Sequence, residues 1–312
     1  MIRLVLELKP LSAFASKPTG GMLFGHLVWA ARERLGEDGV KTLLDGYLQG
    51  RPFAVLSDLL PKGFVPMPAL PLAVLAPNLA AGARKDLKAK RWLPEDALSR
   101  PVEEWAGRAK SSAQLREEGL GSSETAFVHN SISRATGTTG KGAFAPYEVA
   151  SESFLPEHRW SLHVVLDEER LSVETFLDLI RAVGMSGFGR DASTGMGRFE
   201  VLASGVVKPF ASAKSWVTLS AMAPQRGGWD PERCFYRPLT YFGRHGNVRA
   251  LGSGVFKKPI VLAECGALLT LREPSAKGYA GQGIGGHSAF ADTVHQGYAP
   301  MLPVSASFAG ER

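Results

Sequence analysis

Apolar and polar positions alternate from the start of the chain: Ile2, Leu4, Leu6 and Leu8 interleave with a mostly polar set, Arg3, Val5, Glu7 and Lys9. This is the period of a strand with one face on a core. After Lys17-Pro-Thr-Gly-Gly the spacing changes, and Leu23, Phe24, Leu27, Val28, Ala31 and Leu35 predict a helix from about Met22 to Leu35. A short helix around Val40 to Leu48 leads to a second strand at Arg51-Pro-Phe-Ala-Val-Leu-Ser-Asp, and prolines from Pro61 to Pro77 then break any regular pattern. Trp160-Ser-Leu-His-Val-Val-Leu predicts a third strand. Behind Ser172 as N-cap, Val173, Phe176, Leu177, Ile180 and Val183 predict a helix that Gly184 stops. Arg198-Phe-Glu-Val-Leu alternates again. The order is strand, helix, strand, interruption, strand, helix, strand, a ferredoxin-like βαββαβ unit.

Two stretches interrupt that unit. From Arg84 to Glu118 the composition turns charged and helix-tolerant, which reads as a helical insertion with a solvated face. From Phe127 to Glu148 two apolar arms flank a tip rich in glycine and threonine, which predicts a projecting β-hairpin. After Pro209 the candidates are strands at Trp216, Cys234, Ile260 and Ala267, with little helical spacing between them, so 208–312 forms a second, strand-rich domain beside 1–207. The class is α+β.

Thirty-six Lys and Arg against thirty Asp and Glu give a net charge of +6, which favours an anionic partner. Two cysteines are too few for a zinc cluster. No apolar run approaches membrane length and the first residues carry no secretory pattern, so a cytoplasmic protein without a membrane partner is expected.

The candidate chemistry gathers in Ser186 to Glu200. Gly187, Gly189, Gly195 and Gly197 let a ligand approach the main chain, Arg190 and Arg198 add fixed positive charge, and Phe188, Ser193 and Phe199 belong to the same stretch. That set suits single-stranded RNA, held through phosphate and by stacking on aromatic faces. A dinucleotide fold has the opposite order, with glycines leaving a strand to open a helix, so no nucleotide cofactor is expected here or at Gly281-Gln-Gly-Ile-Gly-Gly. His287, Asp292 and His295 match no metal-site spacing and read as polar loop residues near the RNA or an interface.

Several stretches in this order resemble the RAMP proteins of CRISPR systems, most closely the fourth-subunit group of type III-A (Csm) effector complexes. They are Leu23-Phe-Gly-His-Leu-Val-Trp-Ala, Pro52-Phe-Ala-Val-Leu-Ser-Asp, Phe127-Val-His-Asn-Ser-Ile-Ser-Arg-Ala-Thr-Gly-Thr-Thr, Gly187 to Phe199, Lys257-Lys-Pro-Ile-Val-Leu and Gln296-Gly-Tyr-Ala-Pro-Met-Leu-Pro-Val. The resemblance implies two ferredoxin-like, RRM-related domains and a non-catalytic subunit that grips the crRNA 5′ handle. It also implies a place capping the filament of backbone RAMP subunits beside the large signalling subunit. The hairpin would wedge between nucleotides where handle meets guide.

The RNA-contacting set expected on this reading is Lys17, then His129, Asn130, Ile132, Arg134 and Thr136 on the hairpin, then Gly187, Phe188, Gly189, Arg190, Ser193, Gly195, Gly197 and Arg198 in the glycine loop, and Gln282, Gly283 and His287 near the C-terminus. For Ile132 ordinary core packing is the competing reading. Some RAMP relatives cut RNA with a histidine and no metal, so His26 on the first helix stands as the alternative, a crRNA-processing endoribonuclease. A purely structural assembly subunit is the other. No cofactor or metal is expected.

Overall fold

The computed structural model describes residues 1–77, 81–225, 227–250 and 252–305. In chain order, β1 (Ile2–Pro10) is followed by α1 (Gly20–Leu44) and β2 (Ala54–Leu56). The insertion comes next, then a hairpin of β3 (Ser122–His129) and β4 (Tyr147–Phe154). β5 (Trp160–Leu166), α2 (Val173–Ser186) and β6 (Phe199–Val207) complete the first half. The second half contains β7 (Ala213–Thr218), β8 (Pro238–Tyr241), β9 (Ile260–Ala263), β10 (Leu268–Ser275), β11 (Tyr279–Gly281) and β12 (Tyr298–Val304).

The first sheet has the order β6-β1-β5-β2, which in the six-element unit is fourth, first, third, second, the ferredoxin arrangement. All three pairings are antiparallel. The alternation read from β1 is realised: Leu4, Leu6 and Leu8 are buried and pack with Leu23, Phe24 and Leu27 of α1 and Phe176, Leu179 and Ile180 of α2. α1 is longer than its apolar pattern suggested. It passes through Gly36, whose φ of 75° breaks the helical path between the two stretches anticipated as separate helices.

At α2 the Ser172 hydroxyl accepts the Thr175 N–H as expected of an N-cap. The helix does not stop at Gly184. It continues to Ser186 and ends at Gly187, where φ is 92°. Gly184 instead lets α2 rest on β6, since a Cβ there would lie 2.3 Å from the Phe199 carbonyl oxygen.

The second half forms an antiparallel sheet in the order β10-β7-β12-β11, with β8 and β9 paired as a separate ribbon. Among its described residues there are 3-10 turns but no α-helix. Loops such as Ala223-Pro-Gln-Arg-Gly-Gly-Trp-Asp-Pro carry no helical stripe. The second half is therefore strand-rich as read, while its sheet order and lack of helices depart from the ferredoxin unit that the resemblance implied.

The missing cover comes from the insertion. Leu87, Leu93, Leu98, Val102 and Trp105 bury against Val217, Leu219, Leu268, Leu302 and Val304 on one face of the second sheet. Trp216, Leu269 and Met301 point to the other face, into a third core with Met222, Ala263 and Ala280. The charged side is solvated as expected, with Lys85, Asp86, Glu103 and Glu104 exposed, but the opposite side is not: Trp105 is fully buried and its indole N–H donates to the Ala97 carbonyl at 2.8 Å. Although the insertion lies within 1–207, its apolar side belongs to the second sheet.

The halves are joined at the open edge of β2. Gln296, fully buried, accepts the Leu56 N–H at 2.9 Å and donates to the Leu56 carbonyl at 2.7 Å, so one amide side chain acts as the next strand. The Tyr298 hydroxyl donates to the Tyr47 carbonyl at 2.6 Å. Among the described residues no helix is long and apolar enough to cross a membrane.

Candidate nucleic-acid interface

The loop between α2 and β6 folds back on itself. Gly187 and Gly197 have φ of 92° and 72°, and a Cβ at Gly197 would sit 2.1 Å from the Phe188 carbonyl oxygen, so only glycine permits the closure. The Phe188 N–H donates to the Gly197 carbonyl at 2.9 Å across the neck.

The loop is then pinned to α1 and to the segment between β1 and α1. Gly189 N–H donates to His26 Nε2 at 3.1 Å, Arg190 N–H to Ser16 Oγ at 3.0 Å and Arg198 N–H to Ser12 Oγ at 2.9 Å. Gly197 N–H donates to the Ala13 carbonyl at 2.8 Å, and Leu11 N–H to the Arg198 carbonyl at 2.8 Å. These bonds correct one expectation. The amides of Gly187, Gly189, Gly197 and both arginines are spent inside the protein, so the loop does not present them to phosphate. It presents instead the side chains of Arg190, Ser193 and Arg198, all exposed, with Gly195 at the outer turn. Arg190 also lies 3.6 Å from Asp191.

Phe188 and Phe199 are corrected too. Phe188 is fully buried, with its ring 5.0 Å from the His26 ring and 6.0 Å from Phe14, and Phe199 joins the same core. Neither offers a face to a base. They anchor the loop from beneath. His26 Nε2 accepts the Gly189 N–H, and burial holds its pKa below the ordinary histidine value, which suits a neutral acceptor.

The hairpin rises from the same segment. Phe14 and Glu152 exchange backbone hydrogen bonds of 2.9 and 2.8 Å at its base, and β3 pairs with β4 from Ser122↔Phe154 to His129↔Tyr147. Ile132 is 61% exposed, which removes core packing as its role. Asn130, Arg134 and Thr136 are exposed beside it, and the His129 ring stacks on Tyr147 at 5.5 Å. Lys17 is exposed on the segment that carries both elements. Lys17, the hairpin base and the two arginines are thus brought to one side of the fold.

The C-terminal candidates lie elsewhere around the start of α1. A Cβ on Gly21 would meet His295 Cε1 at 2.9 Å, which places the 281–297 segment against the helix N-terminus. Gln282 is exposed and reaches the Pro224 carbonyl at 3.4 Å. Gly283 presses on Tyr47, where a Cβ would stand 2.7 Å from the carbonyl oxygen, and the His287 ring is buried 6.0 Å from His295. Gly283 is thus half-buried against Tyr47 and His287 is buried, so neither projects a side chain from the surface. Asp292 is paired with Arg249 at 2.6 Å.

Burial makes several histidines costly to protonate. It lowers His158 and His163 to about 4, and His295, further depressed by Lys257, to about 3. Their unfolded value is near 6.5, so the stability they confer is complete above about pH 6.5 and is lost as pH falls toward about 4. Asp58 opposes them: burial raises its carboxyl to about 6, so its contribution is present at low pH and is lost as pH rises through that value. His26 is lowered by burial as well, so the rings outnumber the opposing carboxyl and stability should fall on acidification below about pH 6.5. Urea midpoints at pH 7 and pH 5 measure it, and equal midpoints would contradict neutral buried rings.

No protein-family model matches the sequence, and no curated protein matches it. Solved structures do match in fold over nearly the full length. A crystal structure of a Csm1–Csm4 cassette in complex with AMPPNP aligns at TM-score 0.57 and 18% identity, covering 98% of this chain and 98% of its own. A second cassette structure, with pppApA, aligns at 0.55 and 17%, again covering 98% of each chain. A Csm3–Csm4 subcomplex of the type III-A CRISPR-Cas interference complex aligns at 0.58 and 13%, over 97% of this chain and 99% of its own. Csm4 is the subunit common to these assemblies, and its fold is the one this chain adopts over the 97–98% of its length that aligns.

Proposed function

We propose that this chain is a non-catalytic, RNA-binding subunit of a type III CRISPR effector complex, holding the crRNA 5′ handle and capping the backbone filament beside the large signalling subunit. The observation that carries the reading is the glycine loop, closed and pinned by backbone hydrogen bonds so that Arg190 and Arg198 project outward from one rigid frame. Guanidinium groups carried on a fixed backbone are suited to bidentate phosphate contact. The solved neighbours occur with Csm1 and with Csm3, which supports a place between a large subunit and a backbone subunit. His26 fits a positioning role in this scheme, since its Nε2 is committed to the Gly189 amide.

Arg190→Ala combined with Arg198→Ala is expected to weaken binding of handle-containing RNA by about tenfold or more. The slope of log affinity against log salt should fall by about 1.4, from about 0.7 per single-strand phosphate contact. Base identity should matter little to that loss. A folded double variant with unchanged affinity and slope overturns the assignment. Shortening the tip between Asn130 and Phe144 should spare folding and shift the footprint at the junction of handle and guide. An unchanged footprint there removes the hairpin from the RNA path.

A further inference from the structure

Between residues 236 and 263 the chain carries five Arg and Lys and not one Asp or Glu. This segment holds the β8–β9 ribbon, which continues past its paired ends: Lys257 N–H donates to the Gly243 carbonyl at 2.9 Å, His245 N–H to Val255 at 2.8 Å, and Arg244 stands opposite Phe256. Extended chains send alternate side chains to opposite faces. Gly243 and His245 turn inward, and Tyr241 stacks on His295 at 5.0 Å, while Phe242, Arg244, Phe256 and Lys258 are exposed on the outer side.

That outer face has an unusual composition. Phe242 is 74% exposed and Phe256 is 77% exposed, and the Arg244 guanidinium lies 5.8 Å from the Phe256 ring centre. The two rings alternate with two cations, and the ribbon itself supplies no carboxylate to the face. An apolar protein-docking patch would be contiguous, whereas rings interleaved with cations match the requirements of a single-stranded nucleic acid: any base stacks on a ring, and the intervening phosphates meet positive charge. Of the five cations in the segment, Arg249 pairs with Asp292 at 2.6 Å and Arg237 lies 4.0 Å from Glu264, both carboxylates from outside it, which leaves Arg244 and Lys258 on the outer face to attract an anion.

The ribbon is also placed on the helix that holds the glycine loop. Asn247 reaches Glu33 of α1 at 3.4 Å, seven residues or about 10 Å along the helix from His26.

We propose that the outer face of this ribbon is a second, sequence-tolerant contact for single-stranded RNA, with bases on Phe242 and Phe256 and phosphates on Arg244 and Lys258. It goes beyond the grip of the glycine loop and does not depend on it.

The test uses the full chain and labelled oligouridylate of about 10 nucleotides, a probe without a handle sequence and within the usual site size. Phe242→Ala with Phe256→Ala should weaken binding at least about tenfold while leaving the salt slope unchanged, because rings carry no charge. Arg244→Ala with Lys258→Ala should lower the slope by about 1.4. Phe256→Trp should retain binding, and its fluorescence should be quenched by the RNA. A folded ring variant that binds oligouridylate like the parent overturns the proposal, as does a parent chain that does not bind it. Loss of a protein partner from purified complexes with RNA affinity intact would make the face a protein interface instead. The Arg190, Arg198 variant run alongside reports on the loop, so either reading can fail while the other stands.

Discussion

Gln296→Leu is expected to lower the stability of the chain by about 2–6 kcal/mol, the cost of leaving two buried backbone groups without partners at about 1–3 kcal/mol each. Leucine nearly matches the volume, so packing is preserved and the loss isolates the two hydrogen bonds to Leu56. Among the described residues no strand of the first sheet lies beyond the edge of β2, and the side-chain amide is what closes it. Urea unfolding followed by circular dichroism measures the effect. An unfolding free energy within about 0.5 kcal/mol of the parent's, the range of an ordinary surface change, would refute the edge-closing role.

Trp105→Ala should cost about 3–5 kcal/mol, the range for removing a large buried aromatic side chain. The indole fills the space between the insertion and the second sheet, and its N–H satisfies the Ala97 carbonyl at 2.8 Å and reaches the Arg100 carbonyl at 3.2 Å. Hydrogen exchange should localise the loosening to β7, β10 and β12, the strands whose residues line that core. If the insertion were merely a solvated arm, the same substitution would be nearly neutral and protection in those strands would not change.

These two positions mark where sequence reading stopped. The first half was legible because its signals are local: the Leu4, Leu6, Leu8 alternation, the spacing from Leu23 to Ala31 and the Ser172 cap each settle one element without reference to another. The insertion carried a signal that charge concealed. Val102, Trp105 and Ala109 recur on one helical side inside a run dominated by Lys, Arg and Glu, and all three are buried.

At the site, Arg190, Arg198 and the hairpin tip were placed correctly on exposed elements, because their residue types and turn chemistry bear on exposure directly. The fate of Phe188 was not local. Nothing around it distinguishes a stacking ring from an anchor, since the partners that bury it, Phe14 and His26, come from the other end of the half-domain. The same is true of Ser12 and Ser16, whose hydroxyls take the Arg198 and Arg190 amides across more than 170 residues of chain. A serine in a loop gives no notice of such a bond.

The cover of the second sheet is made early and used late. During synthesis the insertion, complete at about residue 118, leaves the ribosome about 95 residues before β7 begins at Ala213. At about 5–20 residues per second that interval lasts roughly 5–20 seconds. The first sheet can close within it, since β6 ends at Val207, but Trp105, Leu93 and Val102 have nothing to cover until the C-terminal strands arrive. The nascent chain therefore carries an apolar shelf beside a finished domain, and the yield of folded protein should depend on how that shelf is shielded while translation runs to its end.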